Sequence, residues 1–154
     1  MLAIKIKIFL YLLIFLITSI AQAQTVKVVD GDTIHVDGEK IRFSGIDAPE
    51  LSQTCILNSL TVECGLKSRE ILINKIANKL VECIAEGKDR YKRILAECFV
   101  ENTSLSDFLV REGYAFAYRQ YSNKFISAEE EAKMNQKGMW SMQFIFPWEF
   151  RKLN

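Results

Sequence analysis

The chain has a single histidine, His35, and no Cys-x-x-Cys pair, so no cluster of imidazole and thiolate ligands with zinc spacing is present. It also lacks a charge imbalance. Its 20 basic and 19 acidic residues nearly cancel, whereas a chain that coats nucleic acid without a defined site needs a strongly basic surface, because phosphate neutralisation and counterion release supply most of that affinity. Any nucleic-acid contact must therefore come from a local site. No repeat, low-complexity tract or linker divides the sequence, so a single domain over residues 24–154 is expected.

What is present begins with a leader. Lys5 and Lys7 precede a nearly unbroken apolar run from Ile8 to Ile20, and Ala21-Gln22-Ala23 has the small-x-small form of a signal-peptidase site. The run is shorter than the roughly 18–20 apolar residues a membrane span needs. Residues 1–23 are thus read as a signal peptide cleaved after Ala23, and the mature chain as periplasmic or secreted. It is expected to be monomeric and free of the membrane. Lys5 and Lys7 are the only charged residues of the leader, so without it 18 basic residues face 19 acidic ones.

All four cysteines, Cys55, Cys64, Cys83 and Cys98, follow the leader, in a compartment where thiols oxidise. An even count there favours disulfides, and four cysteines allow three pairings that sequence alone does not decide. Local spacing favours Cys55–Cys64 and Cys83–Cys98, because each pair flanks a short excursion.

From Thr25 onward, short alternating runs broken by glycine read as three antiparallel strands, with Asp37-Gly38 as a two-residue hairpin between Thr33–Val36 and Lys40–Ile46. Leu72, Ile73, Ile76 and Ala77, with Leu80 next, recur at helical spacing and predict a helix over Leu66–Lys79. Two further strands, Leu80–Ala85 and Arg93–Val100, flank the charged turn EGKDRYK. A helix over Leu105–Glu112 is predicted with Ser104 as N-cap and Gly113 as C′. A last helix is expected to open at Ser127, with a Ser127/Glu130 capping box, and to run to about Lys137. Glu129-Glu130-Glu131 then reads as a solvated helix start, and Phe144, Phe146, Trp148 and Phe150 as aromatics packed on the body of the fold. Five strands with about three helices make an α+β, mainly β chain, compatible with a five-stranded barrel of the oligonucleotide-binding (OB) type.

Three segments place charge where a plain core does not want it: Asp30-Gly31-Asp32-Thr33, Arg42-Phe43-Ser44-Gly45-Ile46-Asp47-Ala48-Pro49-Glu50, and Asp89-Arg90-Tyr91-Lys92-Arg93. Asp32 begins one strand and Asp47 ends another, so a hairpin that joins those ends puts two like charges together, which calls for a cation between them. Carboxylate oxygens without histidine or thiolate select calcium or magnesium. Arg42, five residues before Asp47, faces the opposite side of an ideal strand unless the chain bends at Gly45. Glu50, after Pro49, suits a carboxylate that holds or deprotonates a water. Arg42 and Arg93 offer planar forks that match phosphate oxygens.

DGDT, RFSGIDAPE and DRYKRILA, in this order, resemble the three signature stretches of the staphylococcal nuclease (thermonuclease) family. The resemblance runs over about residues 25–140 and ends at Gly138-Met139-Trp140. It implies an OB-fold calcium-dependent nuclease that hydrolyses DNA and RNA at the bond to the 5′ oxygen and leaves 3′-phosphate ends. It further implies that Asp32, Asp47 and the backbone carbonyl of Ala48 hold calcium, that Arg42 and Arg93 grip the scissile phosphate, and that Glu50 handles the water. Tyr91, Tyr118 and Tyr121 match tyrosines that lie against the nucleotide. The cysteine pairs resemble those of secreted bacterial relatives. Family members commonly carry glycine where this chain has Lys92, which bears on the placing of Arg93. Two other readings compete: an OB module that holds oligonucleotides without cutting them, and an envelope structural domain in which the motifs survive as turns. A binding module has no use for Glu50.

Overall fold

The structure, a computed structural model, describes residues 23–153. The expected leader lies outside the described residues except for its last residue, Ala23. Among the described residues, no helix is long and apolar enough to cross a membrane.

In chain order the elements are β1 (Val26–Val28), β2 (Thr33–Val36), β3 (Glu39–Phe43), β4 (Ile46–Asp47), β5 (Cys55–Leu57), β6 (Leu60–Val62), α1 (Cys64–Ile76), β7 (Glu82–Lys88), β8 (Ile94–Val100), β9 (Thr103–Ser104), α2 (Leu105–Arg111), β10 (Phe116–Ala117) and α3 (Ile126–Met134). A 3-10 turn, Gly138–Ser141, and α4 (Pro147–Leu153) follow. The fold is α+β and mainly β, as expected, with four α-helices among the described residues in place of about three. α4 carries no period long enough to be read from the sequence.

The main sheet runs β1-β2-β3-β8-β7, with β9 added beside β8. Asp37 and Gly38 take φ of 50° and 88°, the left-handed pair that a two-residue hairpin needs, and they set Thr33 opposite Arg42. β8 lies parallel to β3, with Arg42 opposite Leu95. The expected barrel does not close by a backbone ladder. Instead the Gln24 side-chain amide donates to the Val81 carbonyl at 2.9 Å and accepts from the Val81 N–H at 2.8 Å. One side chain thereby joins the two outer strands, because β1 is too short to carry a further ladder.

Ile34, Ile41, Phe43, Leu72, Val100, Leu105 and Leu109 form the centre of the core; each large apolar side chain stabilises by about 1.5–3 kcal/mol relative to exposure. α1 buries Cys64, Ser68, Leu72 and Ile76, an i, i+4 stripe of which Leu72 and Ile76 enter this core. That stripe corrects the predicted face: Ile73 and Leu80 are exposed, and Ala77, at φ 45°, ends the helix before Lys79. α2 matches expectation, since Ser104 Oγ accepts from the Asp107 N–H at 3.3 Å and Gly113 takes φ 73°.

α3 departs from it. Phe125, buried, occupies the N-cap position without a side-chain cap, so Ser127 already lies inside the helix and no capping box forms. Glu129 is buried rather than solvated. Its Oε1 accepts from the Ala117 N–H at 2.9 Å and its Oε2 pairs with Arg119 at 2.6 Å, which satisfies an otherwise unpaired edge of β10.

Phe144, Phe146 and Trp148 pack with Trp140 around Phe116 in a second cluster, as expected for fold-packing aromatics. Both favoured disulfides are present, Cys55–Cys64 and Cys83–Cys98. The first joins the start of β5 to the first residue of α1; the second bridges directly opposed residues of β7 and β8.

Candidate active site

The turn before β2 packs so closely that it needs Gly31: a Cβ there would lie 2.1 Å from Ser68 Oγ and 2.8 Å from Ala48 Cβ. This contact draws the DGDT turn onto the segment after β4. Asp30 Oδ1 accepts from the Asp32 N–H at 3.0 Å, and Asp32 Oδ2 accepts from the Ala48 N–H at 2.7 Å. Asp32 is buried. Burial pushes its carboxyl up to about 7; Arg42 opposes the rise, while Asp30 and Asp47 add to it.

Between β3 and β4 the chain turns at Gly45, φ 71°. The turn carries Asp47 back to the side of Arg42, the bend that the five-residue spacing required. Arg42 Nη1 lies 2.7 Å from Asp32 Oδ2, and its Nη2 donates to Asp47 Oδ1 at 2.9 Å. One guanidinium thus separates two buried carboxylates. β10 fixes Asp47 from the other side through its pairing with Phe116.

Glu50 is positioned by its backbone. Gln53, fully buried, accepts from the Glu50 N–H at 3.3 Å and donates from Nε2 to the Ile145 carbonyl at 2.5 Å. A Cβ at Gly65 would come within 1.8 Å of the Glu50 carbonyl oxygen, so the first turn of α1 rests directly on this peptide.

In the 89–93 turn, Asp89 Oδ1 accepts from the backbone N–H groups of Tyr91 and Arg93 at 2.8 and 2.9 Å, and Oδ2 accepts from Arg93 Nε at 2.7 Å. Partial desolvation works against the Asp89 charge, but these hydrogen bonds hold its carboxyl below the usual range. Lys92 takes φ 65°, the left-handed conformation that favours glycine. The Asp89 bonds nevertheless fix Arg93, whose Nη1 lies 3.5 Å from Thr33 Oγ1.

All nine residues predicted for the site, Asp32, Arg42, Asp47, Ala48, Glu50, Tyr91, Arg93, Tyr118 and Tyr121, line one cavity of about 920 Å³. Tyr91 and Tyr121 are exposed at its rim. The Tyr118 ring sits 5.1 Å from Tyr121 and stacks on Trp148 at 5.9 Å.

Sequence reasoning missed Arg151. From α4 its Nη2 donates to Asp47 Oδ2 at 2.7 Å, and its Nη1 donates to Glu50 Oε1 at 2.8 Å and to Asp47 Oδ1 at 3.2 Å. Burial opposes its charge, yet the hydrogen bonds with Asp47 and Glu50 raise its pKa above the usual arginine value. No motif or spacing marks it. It also missed Asp89 and Gln53 as positioning residues, although Asp-x-Tyr-x-Arg is a readable Asx-turn.

The residues fit a hard cation. Each ionised carboxylate offers about four lone-pair positions. At Asp32, Oδ2 serves Ala48 and Arg42 while Oδ1 serves only the Thr33 hydroxyl. At Asp47, Oδ1 serves both arginines while Oδ2 serves only Arg151. One position remains on each acid. Among the described residues no group of three or more acid, histidine or cysteine side chains forms a metal cluster, so a cation held at Asp32 and Asp47 would have to take its remaining ligands from backbone, water and substrate oxygens.

The model of the family described as "Staphylococcal nuclease homologue" matches residues 40–142. A Haemophilus influenzae protein described as an uncharacterized endonuclease is 33% identical over 142 residues, which cover 84% of this chain and 75% of that protein. An Escherichia coli protein of the same description is 33% identical over 136 residues, 83% of each chain. A micrococcal nuclease of Shigella flexneri is 28% identical over 149 residues, 85% of this chain and 80% of its own.

Proposed function

Since the chain belongs to the staphylococcal nuclease homologue family, we propose that it is an exported, monomeric, calcium-dependent endonuclease that hydrolyses phosphodiester bonds in DNA and RNA and leaves 3′-phosphate ends. The observation that carries this reading is the convergence of Asp32, Arg42, Asp47, Glu50 and Arg93 on one cavity.

Phosphodiesters resist attack because their oxygens repel a nucleophile, so a site must neutralise charge and present water in line with the leaving oxygen. Arg42 uses Nη1 and one Nη2 hydrogen within the protein, which leaves Nε–H and one Nη2–H for a phosphate oxygen. Arg93, held through Nε by Asp89, presents its outer nitrogens to the same cavity. Asp32, Asp47 and the Ala48 carbonyl would hold calcium, which supplies positive charge to the phosphate and acidity to a bound water. Glu50 takes the proton as the water oxygen bonds to phosphorus and the bond to the 5′ oxygen breaks, and the leaving 5′ alkoxide takes a proton from solvent water to become the 5′-hydroxyl. Tyr91, Tyr118 and Tyr121 offer ring faces to sugar and base.

The deciding experiment is plasmid DNA and a labelled RNA incubated with the purified mature protein in calcium or in excess chelator. Cleavage in calcium alone, with ends that a phosphatase converts to 3′-hydroxyls, supports the reading. Binding without cleavage would leave an oligonucleotide-binding module. Mass spectrometry of the protein from periplasmic and culture fractions tests export, with Gln24 expected as its first residue.

A further inference from the structure

Arg151 reaches the cavity from α4, beyond the last residue, 142, that the family model matches. A guanidinium carries five N–H hydrogens in a plane. Nη1 and Nη2 together face the two oxygens of Asp47, which occupies the end-on fork, and the second Nη1 hydrogen goes to Glu50. Covalent geometry then leaves a definite pair: Nε–H and the outer Nη2–H, parallel to each other on the side-on edge. Neither meets an acceptor among the described residues, and the side chain is partly exposed and lines the cavity. A parallel pair of donors on a fixed cation is the fork that matches two oxygens of one phosphate.

Its helix is anchored by packing. Pro147 is buried at the start of α4, Trp148 stacks on Phe146 at 4.6 Å and on Tyr118 at 5.9 Å, and Gln53 ties Ile145 to the Glu50 loop. Asp47 holds Arg42 on one oxygen and Arg151 on both, so the two guanidiniums stand about one carboxylate apart. The Tyr118–Trp148 stack runs from the cavity toward α4, which suits a second base next to a second phosphate.

We propose that Arg151 binds the backbone phosphate adjacent to the scissile one, so that the site selects strands with two consecutive phosphodiesters over a single phosphodiester. This rests on the nuclease reading for the identity of the first phosphate. An ion pair that only neutralised Asp47 would need the end-on fork alone.

The test measures binding in excess chelator, where no turnover intervenes, of a thymidine dinucleotide with one phosphodiester and a trinucleotide with two. The wild type is expected to bind the trinucleotide about tenfold more tightly, the scale of a charge-assisted two-pronged contact. In Arg151→Gln that ratio should fall to near one, and in Arg151→Lys, which keeps the charge but not the fork, to an intermediate value. Circular dichroism confirms folding, and Arg151→Lys serves if Arg151→Gln unfolds. A ratio near one in the wild type, or an unchanged ratio in both variants, overturns the proposal. Equal weakening of both ligands also overturns it, since Arg151 would then act only on Asp47 and Glu50. Plasmid cleavage by the wild type in calcium is read separately; failure there with the binding ratio intact sinks the nuclease reading and leaves Arg151 a phosphate ligand.

Discussion

Arg42 donates to Asp47 at 2.9 Å although the two are five residues apart along one strand direction, and Gly45, at φ 71°, is what turns the chain between them. A Cβ at Gly45 would also lie 3.0 Å from the Phe125 ring. Gly45→Ala is therefore expected to destabilise the fold by about 1–2 kcal/mol through left-handed strain and to lower activity by more than that loss of folded protein explains. Urea denaturation beside turnover per folded molecule checks it.

Glu50→Gln keeps size and hydrogen bonding and removes the basic charge. Turnover should fall by roughly 10²–10⁴, the usual contribution of a positioned base, with the affinity of nucleotide inhibitors little changed. Arg42→Ala should lower turnover by roughly 10²–10³ and weaken inhibitor binding as well. A folded Glu50→Gln protein at near wild-type rate removes Glu50 from the mechanism.

Activity should vanish in excess chelator and return with calcium. Asp47→Asn should weaken calcium binding by about tenfold or more, read by calorimetry, because one of two carboxylates is lost. Equal calcium affinity in the variant would place the ion elsewhere.

Lys92 holds φ 65° without the freedom of glycine. Lys92→Gly relieves about 1–2 kcal/mol of strain against about 0.5–1 kcal/mol of added chain entropy, so the variant should be slightly more stable at equal activity. A fall in turnover would show that the lysine side chain helps to hold Arg93.

Cys83 and Cys98 lie opposite each other on β7 and β8, 15 residues apart in sequence. Replacing both with serine should cost roughly 3 kcal/mol by the chain-entropy estimate, with the thermal midpoint lowered accordingly. Peptide mapping without reductant should recover the two local pairs; crossed pairs would contradict the structure.

The sequence by itself determined the five strands β1, β2, β3, β7 and β8, the hairpin at Asp37-Gly38 and the caps of α2, and it marked the three charged motifs that line the cavity, because these rest on local chemistry: alternation, left-handed turn residues, a hydroxyl at an N-cap, and charged residues in short segments. It did not determine α4, the early start of α3, the burial of Glu129 or the arrival of Arg151. Each of those depends on which distant surface a segment meets. Phe125 overrides the Ser127 capping box because its ring is buried against Gly45, a contact between residues 80 positions apart. Arg151 enters the site because an aromatic cluster around Phe116 and one buried amide, Gln53, dock the C-terminal segment beside Glu50. Such docking is a sum of packing and desolvation over several elements, and no spacing within a single segment encodes it.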